Sequence, residues 1–216
     1  MRILSITDIH GNRRRTRLLF NKLHGEVDIV VVNGDITQFQ GLDVAEEILS
    51  ILSRIGSESY FIPGNCDPVK LLRVDRLGGA VNIHGKKVEI GNNLELIGLG
   101  GSTITPFNTW IEFKDDEYMN ILPKPSSQFI LASHDPPYNT KIDRTWRGEH
   151  VGSRSVREFI LKYKPILGLH GHIHEARGRD KLGETIVINP GPLYGGYYSI
   201  IEVSSREVTR IDFNRI

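Results

Sequence analysis

Short apolar runs alternate with polar, glycine-adjacent loops through the first third of the chain. Arg2-Ile3-Leu4-Ser5-Ile6-Thr7 predicts a strand and Asp8-Ile9-His10-Gly11-Asn12 the loop that ends it. Leu18, Leu19 and Leu23, behind a basic front of Arg13, Arg14, Arg15 and Arg17, predict an amphipathic helix over 13–24. Asp28-Ile29-Val30-Val31-Val32 is too apolar for a strand with one wet face and reads as part of a doubly covered sheet. It runs into Asn33-Gly34-Asp35. Val44, Ile48, Leu49, Leu52 and Ile55 recur at helical spacing, so a second helix is expected over 42–55, with Gly56 as its stop. A third strand, Glu58 to Ile62, ends in Pro63-Gly64-Asn65-Cys66-Asp67. This repeated strand–loop–helix order argues an α/β fold with a site outside the carboxyl ends of the strands.

The middle of the chain has a shorter period. Strands are expected at 80–83, 88–90 and 94–99, separated by His84-Gly85-Lys86-Lys87 and by Gly91-Asn92-Asn93, in the manner of antiparallel hairpins. A helix is expected over 114–122, a buried strand over 128–132 ending in Ser133-His134-Asp135, a long loop over 135–152 and a helix over 153–163. Pro165 to Leu169 reads as a buried strand leading into His170-Gly171-His172-Ile173-His174, and further strands are expected at 185–188, 197–203 and 206–213. No repeat, low-complexity stretch or linker divides residues 1–216, which are expected to form one domain.

Charge narrows the partners more than it names them. Lys and Arg total 27 against 26 Asp and Glu, a net charge of +1 that offers no electrostatic case for nucleic acid or anionic lipid. The single Cys66 rules out an intrachain disulfide framework and fits a reducing compartment. No apolar stretch approaches the ~18–20 residues of a membrane span and no signal-like segment opens the chain, so a soluble cytoplasmic protein is expected.

The candidate chemistry lies at the strand ends. Asp8 and His10, Asp35, Asn65, His134, and His172 and His174 each follow an expected strand and amount to seven potential metal ligands. In extended backbone residues two apart point to the same side, so His172 and His174 are expected to aim at one small volume. Two divalent ions sharing a bridging carboxylate such as Asp35 use a mixed set of this size better than one ion does. Paired ions suit in-line displacement at phosphorus, with a hydroxide at neutral pH as nucleophile.

Asp8-Ile9-His10, Gly34-Asp35, Gly64-Asn65-Cys66-Asp67, Ser133-His134 and Gly171-His172-Ile173-His174 resemble, in order, the five signatures of the calcineurin-like metallophosphoesterases. Asn189-Pro190-Gly191 resembles that family's C-terminal part. The resemblance implies a four-layer αββα sandwich of two mixed sheets flanked by helices, with a dimetal site at the strand ends. It implies one ion held by Asp8, His10, Asp35 and His174 and another by Asp35, Asn65, His134 and His172, with Asn65 and His134 close to the substrate oxygens. Manganese, iron, zinc and nickel are all compatible with such donors.

One position departs from the family's commoner pattern. Cys66 stands where a His usually follows Gly-Asn, and a thiol replaces an imidazolium poorly as acid or anion partner. Gly-Asn-Cys-Asp resembles a smaller prokaryotic branch known mainly for phosphodiesterase activity. Asp67 is expected to orient a neighbouring imidazole such as His10, with a helix cap before Pro68 as the alternative. His170 is read as a packed or supporting residue rather than a ligand. Asn12 and Arg13 meet phosphate oxygens or belong to a solvated helix start. His150 either reaches the pocket to replace the missing acid or stays in its surface loop; His24 and His84 read as turn or surface residues. Trp110, Phe113, Tyr138 and Trp146 line a ligand pocket or pack their loops on the core.

The expected function is metal-dependent hydrolysis of a small-molecule phosphate ester, preferentially a phosphodiester, by attack of metal-bound hydroxide, without membrane or nucleic-acid partners. A homo-oligomer is compatible with this reading. The alternatives are a phosphomonoesterase, a nuclease acting on short oligonucleotides, and an inactive protein-binding scaffold. The scaffold has a precedent in a retromer subunit that resembles this family but has an eroded ligand set.

Overall fold

Alternate residues of the buried strands face opposite sides, and this chain fills both sides with apolar groups. A computed structural model describes residues 1–91 and 93–216. Its strands are β1 (Arg2–Ile6), β2 (Ile29–Asn33), β3 (Glu58–Ile62), β4 (Arg76–Leu77), β5 (Ala80–Asn82), β6 (Lys87–Ile90), β7 (Leu94–Leu99), β8 (Ser102–Thr103), β9 (Glu112–Phe113) and β10 (Phe129–Ser133). They continue with β11 (Leu167–Leu169), β12 (Gly178–Leu182), β13 (Thr185–Asn189), β14 (Tyr197–Ser204) and β15 (Glu207–Arg215). The helices are α1 (Arg13–Leu23), α2 (Leu42–Leu52), α3 (Tyr118–Ile121) and α4 (Arg154–Tyr163).

Two mixed sheets lie face to face. One has the order β15-β14-β1-β2-β3-β5-β4 and the other β12-β13-β11-β10-β7-β6. The alternation in β2 shows how the layers form. Ile29 and Val31 join Ile130, Ala132, Leu167 and Leu169 between the sheets. Val30 and Val32 turn the other way, to Leu19, Leu23, Ile48 and Leu49 of α1 and α2. On the second sheet Phe129 and Leu131 meet Val156, Phe159 and Ile160 of α4. The result is the four-layer αββα sandwich. Among the described residues no helix is long and apolar enough to cross a membrane.

Several boundaries differ from the sequence expectation. The helix expected over 114–122 is a 3-10 turn followed by the single turn of α3. Strand β12, Gly-Arg-Asp-Lys-Leu, is missing from the expected set because its charged residues give no apolar signal; it is an outer strand, where charge protects an open edge. The expected hairpin of 80–83 with 88–90 does not form. β5 pairs parallel with β3 in one sheet, whereas β6 pairs antiparallel with β7 in the other. Asn92, in the turn expected between β6 and β7, lies outside the described residues.

His84 occupies that crossing between sheets, just before the turn at Gly85, and it is half-buried rather than open to solvent. Its Nδ1 accepts the Gly100 N–H at 2.9 Å and its ring stacks near Phe113. Burial, with a contribution from Lys86, lowers its pKa from 6.5 to about 4. The unfolded chain therefore binds a proton at His84 that the folded chain refuses, and stability falls as pH drops from about 6.5 to about 4. The slope from this one group is at most about 1.4 kcal/mol per pH unit. His84→Asn retains an acceptor without the titration; denaturant unfolding at pH 7 and 4.5 should show a smaller acid loss in the variant than in the parent.

Candidate metal centre

Each signature loop emerges where parallel strands end side by side, so neighbouring strands deliver their polar residues to one edge. β1, β2 and β3 bring Asp8, His10, Asp35 and Asn65; β10 and β11 bring His134, His172 and His174 from the facing sheet. The loops take tight local conformations. Asp8, His10, Asp35 and His172 all have positive φ, at 52°, 48°, 49° and 65°. Non-glycine residues rarely adopt such angles, and four of them at one edge mark a site held by its surroundings.

The signature glycines have a steric cause. A Cβ on Gly64 would overlap the backbone nitrogen and Oδ1 of Asp35, and one on Gly171 would overlap the Thr7 hydroxyl. Gly-Asn and Gly-His thus place their second residues by letting two loops touch.

Asp8, His10, Asp35 and His174 each offer a ligand atom, all within 4.8 Å of one another. The Nε2 atoms of His10 and His174 lie 3.1 Å apart, His174 Nε2 is 3.2 Å from Asp8 Oδ1, and His10 Nε2 is 3.7 Å from Asp35 Oδ2. The other oxygen of Asp35 faces a second group. Oδ1 is 3.5 Å from His134 Nε2, which in turn is 3.0 Å from Asn65 Oδ1, and the His134 and His172 rings are 5.2 Å apart. Seven sequence-predicted ligands therefore meet at one edge.

Their orientation is set by groups outside the cluster. The Asn33 carbonyl, which can only accept, is 2.7 Å from His134 Nδ1, so Nδ1 carries the proton and Nε2 is directed toward Asp35. The Asn189 amide donates to the carbonyls of Gly171 and Ile173 at 3.3 and 2.9 Å, which ties down the histidine loop. The extended-backbone argument for His172 and His174 does not hold. β11 ends at Leu169, and the following turn, with left-handed His172, directs the two rings.

The electrostatics favour a cation. Burial opposes ionisation of Asp8 and Asp35, but His174 beside Asp8 and His134 beside Asp35 outweigh it and keep both carboxyls below their usual range. Burial likewise disfavours the His134 imidazolium, yet Asp35 and Asp8 raise its pKa to about 10. Two buried carboxylates thus draw positive charge onto His134 and His174, charge that a divalent ion held by the same donors would supply in place of the protons. The donor set fits such ions.

The remaining candidates lie elsewhere. Asp67 does not orient His10, as the sequence suggests; its oxygens accept from the N–H groups of Ile36, Thr37 and Gly64 and from the Thr37 hydroxyl, at 2.7–3.1 Å. It joins the Asp35 and Asn65 loops instead. Asn12 caps α1 by accepting from the Arg15 N–H, and Arg13 pairs with Glu47 at 2.6 Å. His150 is 2.7 Å from Asp143 Oδ1 within its own loop. His170 is fully buried, with Nδ1 3.3 Å from the Asp135 carbonyl oxygen, and burial lowers its pKa to about 3. Burial, then Asp35, pushes the Cys66 thiol well above its usual range, which keeps it protonated and a poor nucleophile.

One residue escapes the sequence reading. Tyr194 Oη is 3.0 Å from His174 Nδ1, and its turn is tied to the first loop through Leu193 N–H to the Thr7 carbonyl at 2.9 Å. Its only sequence signal is proximity to Asn189-Pro190-Gly191. Removing an outer partner of a ligating imidazole costs roughly 10–100-fold in metal affinity. Because Tyr194 is partly exposed, Tyr194→Phe should weaken metal binding by about 10-fold, the lower end of that range. Calorimetric titration checks this, and parental affinity would reduce Tyr194 to a packing residue.

Comparison with known proteins agrees with this architecture. The uncharacterized protein MJ1162 of Methanocaldococcus jannaschii is 36% identical over 222 residues, covering 99% of this chain and 97% of that protein. The crystal structure of TT1561 from Thermus thermophilus superposes with a TM-score of 0.79 at 18% identity, covering 99% of this chain and 98% of the other. The phosphopantetheinyl hydrolase PptH of Mycobacterium tuberculosis gives 0.63 at 13% identity, covering 89% and 90%. These structural likenesses are of fold alone. The calcineurin-like phosphoesterase profile matches residues 1–176, and the chain belongs to that family.

Proposed function

We propose that this phosphoester hydrolase works with two divalent ions and prefers phosphodiesters. The observation that carries the reading is the division of Asp35: Oδ2 faces His10, and Oδ1 faces His134. Asp8, His10, Asp35 and His174 would hold one ion, and Asp35, Asn65, His134 and His172 the other. Bound there, such ions supply a neutral-pH nucleophile from water and offset the charge that develops on phosphate.

The chain's own groups do the rest. Asn65, with Oδ1 toward His134, has its amide nitrogen 3.6 Å from the Cys66 sulfur, a weak acceptor that leaves it free to donate to a phosphoryl oxygen. The Asn33 carbonyl keeps His134 in one tautomer. Cys66 supplies no acid, so a leaving group must depart largely without protonation from this position. That limit weighs most against monoesters of alkyl alcohols, and it supports the preference for diesters with good leaving groups.

A panel of activated diesters, cyclic nucleotides, and aryl and alkyl monoesters, each assayed with manganese, iron, zinc and nickel, tests the proposal. The expected result is metal-dependent turnover of diesters well above that of alkyl monoesters. Strong hydrolysis of alkyl phosphates would overturn the inference from Cys66. Fewer than one bound ion per chain, with no turnover of any ester, would leave a scaffold.

A further inference from the structure

Two exposed aromatic rings hang from the segment that carries Asn65. The Phe39 N–H donates to the Cys66 carbonyl at 3.0 Å, and the Trp110 N–H donates to the Asn65 carbonyl at 2.9 Å. The Phe39 and Trp110 rings meet edge to face, with centroids 5.3 Å apart and planes at 71°. Both remain open to solvent, at 44% and 45% exposure. On its other side the Phe39 loop abuts the His10 loop, because a Cβ on Gly11 would overlap the Gln40 side chain.

Core packing does not explain this pair. Phe39 has a φ of 55°, a strained angle for a bulky residue, and that strain presents its ring to water rather than to the interior. The Trp110 loop is braced. Glu112 Oε1 accepts from the Thr105 hydroxyl at 2.6 Å and from the N–H and hydroxyl of Thr109 at 2.9 and 2.5 Å. A braced loop and a strained residue, both bonded to the Asn65-Cys66 main chain, tie two rings to the segment that carries the candidate ligand Asn65. Edge-to-face contact leaves ring faces free to stack.

We propose that Phe39 and Trp110 form a stacking site for a planar ring on the organic group esterified to the phosphate. The inference rests on the phosphoesterase reading, and it adds a specificity element that the metal ligands do not provide. Stacking of the single ligand ring, chiefly on Trp110, contributes enough for a preference of roughly 10-fold. Aliphatic groups of similar polarity gain less, because they lack the π-face.

Two non-hydrolysable anions test it. Phenylphosphonate should inhibit turnover of a common chromogenic diester about 10-fold more tightly than methylphosphonate. Trp110→Leu, which keeps apolar bulk and removes the ring, should bring the ratio of the two constants to within about twofold. Adenosine monophosphate, run beside them, distinguishes a nucleobase from a simple aryl group. Binding is also read without catalysis. The chain has two tryptophans, so in a Trp146→Phe background the fluorescence reports Trp110 alone, and phenylphosphonate should quench it where methylphosphonate does not. Turnover with equal inhibition by both phosphonates overturns the stacking site and leaves the phosphoesterase intact. Quenching without turnover of any ester retains the stacking site and overturns the phosphoesterase. Quenching that depends on protein concentration rather than ligand would assign the rings to a contact between copies of the chain and overturn the proposal.

Discussion

Replacing Asp35 with Asn is expected to remove metal and activity together. The carboxylate is 2% exposed, with one oxygen 3.7 Å from His10 Nε2 and the other 3.5 Å from His134 Nε2. Oδ1 also accepts the Cys66 N–H at 2.8 Å, so its position is fixed before any ion arrives. An amide is isosteric but neutral, and one of its two atoms is a donor that must point at an imidazole nitrogen or at the Cys66 N–H. Loss of preorganised electrostatic stabilisation of this kind costs about 10²–10³ in turnover. On the proposed two-ion reading, metal content should fall at both positions, since each would lose a shared ligand. Elemental analysis of the purified variant, alongside diester kinetics, reads both effects. Full metal content and parental turnover in Asp35→Asn would show that no ion depends on this carboxylate.

Asp67→Ala is expected to damage the fold before it touches the chemistry. The Asp67 side chain is fully buried and accepts four hydrogen bonds, three of them from main-chain N–H groups of two different loops. Truncation leaves buried donors at Ile36, Thr37 and Gly64 without a partner. Each such donor costs about 1–3 kcal/mol, so a loss of at least about 3 kcal/mol follows even when the terms are not additive. Since Ile36 and Gly64 flank Asp35 and Asn65, metal affinity should fall as well. Denaturant unfolding gives the stability and titration gives the affinity. A parental unfolding midpoint with activity lost would return Asp67 to the role of orienting an imidazole.

These two aspartates mark how far the residues can be read. Asp35 belongs to a recurring local pattern, a polar residue beside glycine at the end of an apolar strand, and the pattern needs nothing from the rest of the chain. Besides nearby Gly64, the partners of Asp67 are Ile36 and Thr37, about thirty positions away, and only the parallel pairing of β2 with β3 brings these to it. The same division holds for the histidines. His172 and His174 are visible as candidates, but the reason they converge is a left-handed turn, not an extended strand. His84 reads as a turn residue because its neighbours Gly85 and Lys86 favour a turn; its burial comes from the passage between two sheets. Tyr194 has no local signal of its own, because its hydrogen bond joins segments twenty residues apart.

By itself the sequence determined the α/β order of the elements, the doubly covered strands and the seven candidate donors. These are properties of neighbouring residues: hydrophobic period, strand length and glycine-flanked ends. The tertiary structure alone decided which sheet each middle strand joins, which oxygen of Asp35 meets which imidazole, and which polar groups hold the donors in place. Those outcomes depend on register and on long-range main-chain hydrogen bonds, which short-range sequence pattern does not encode.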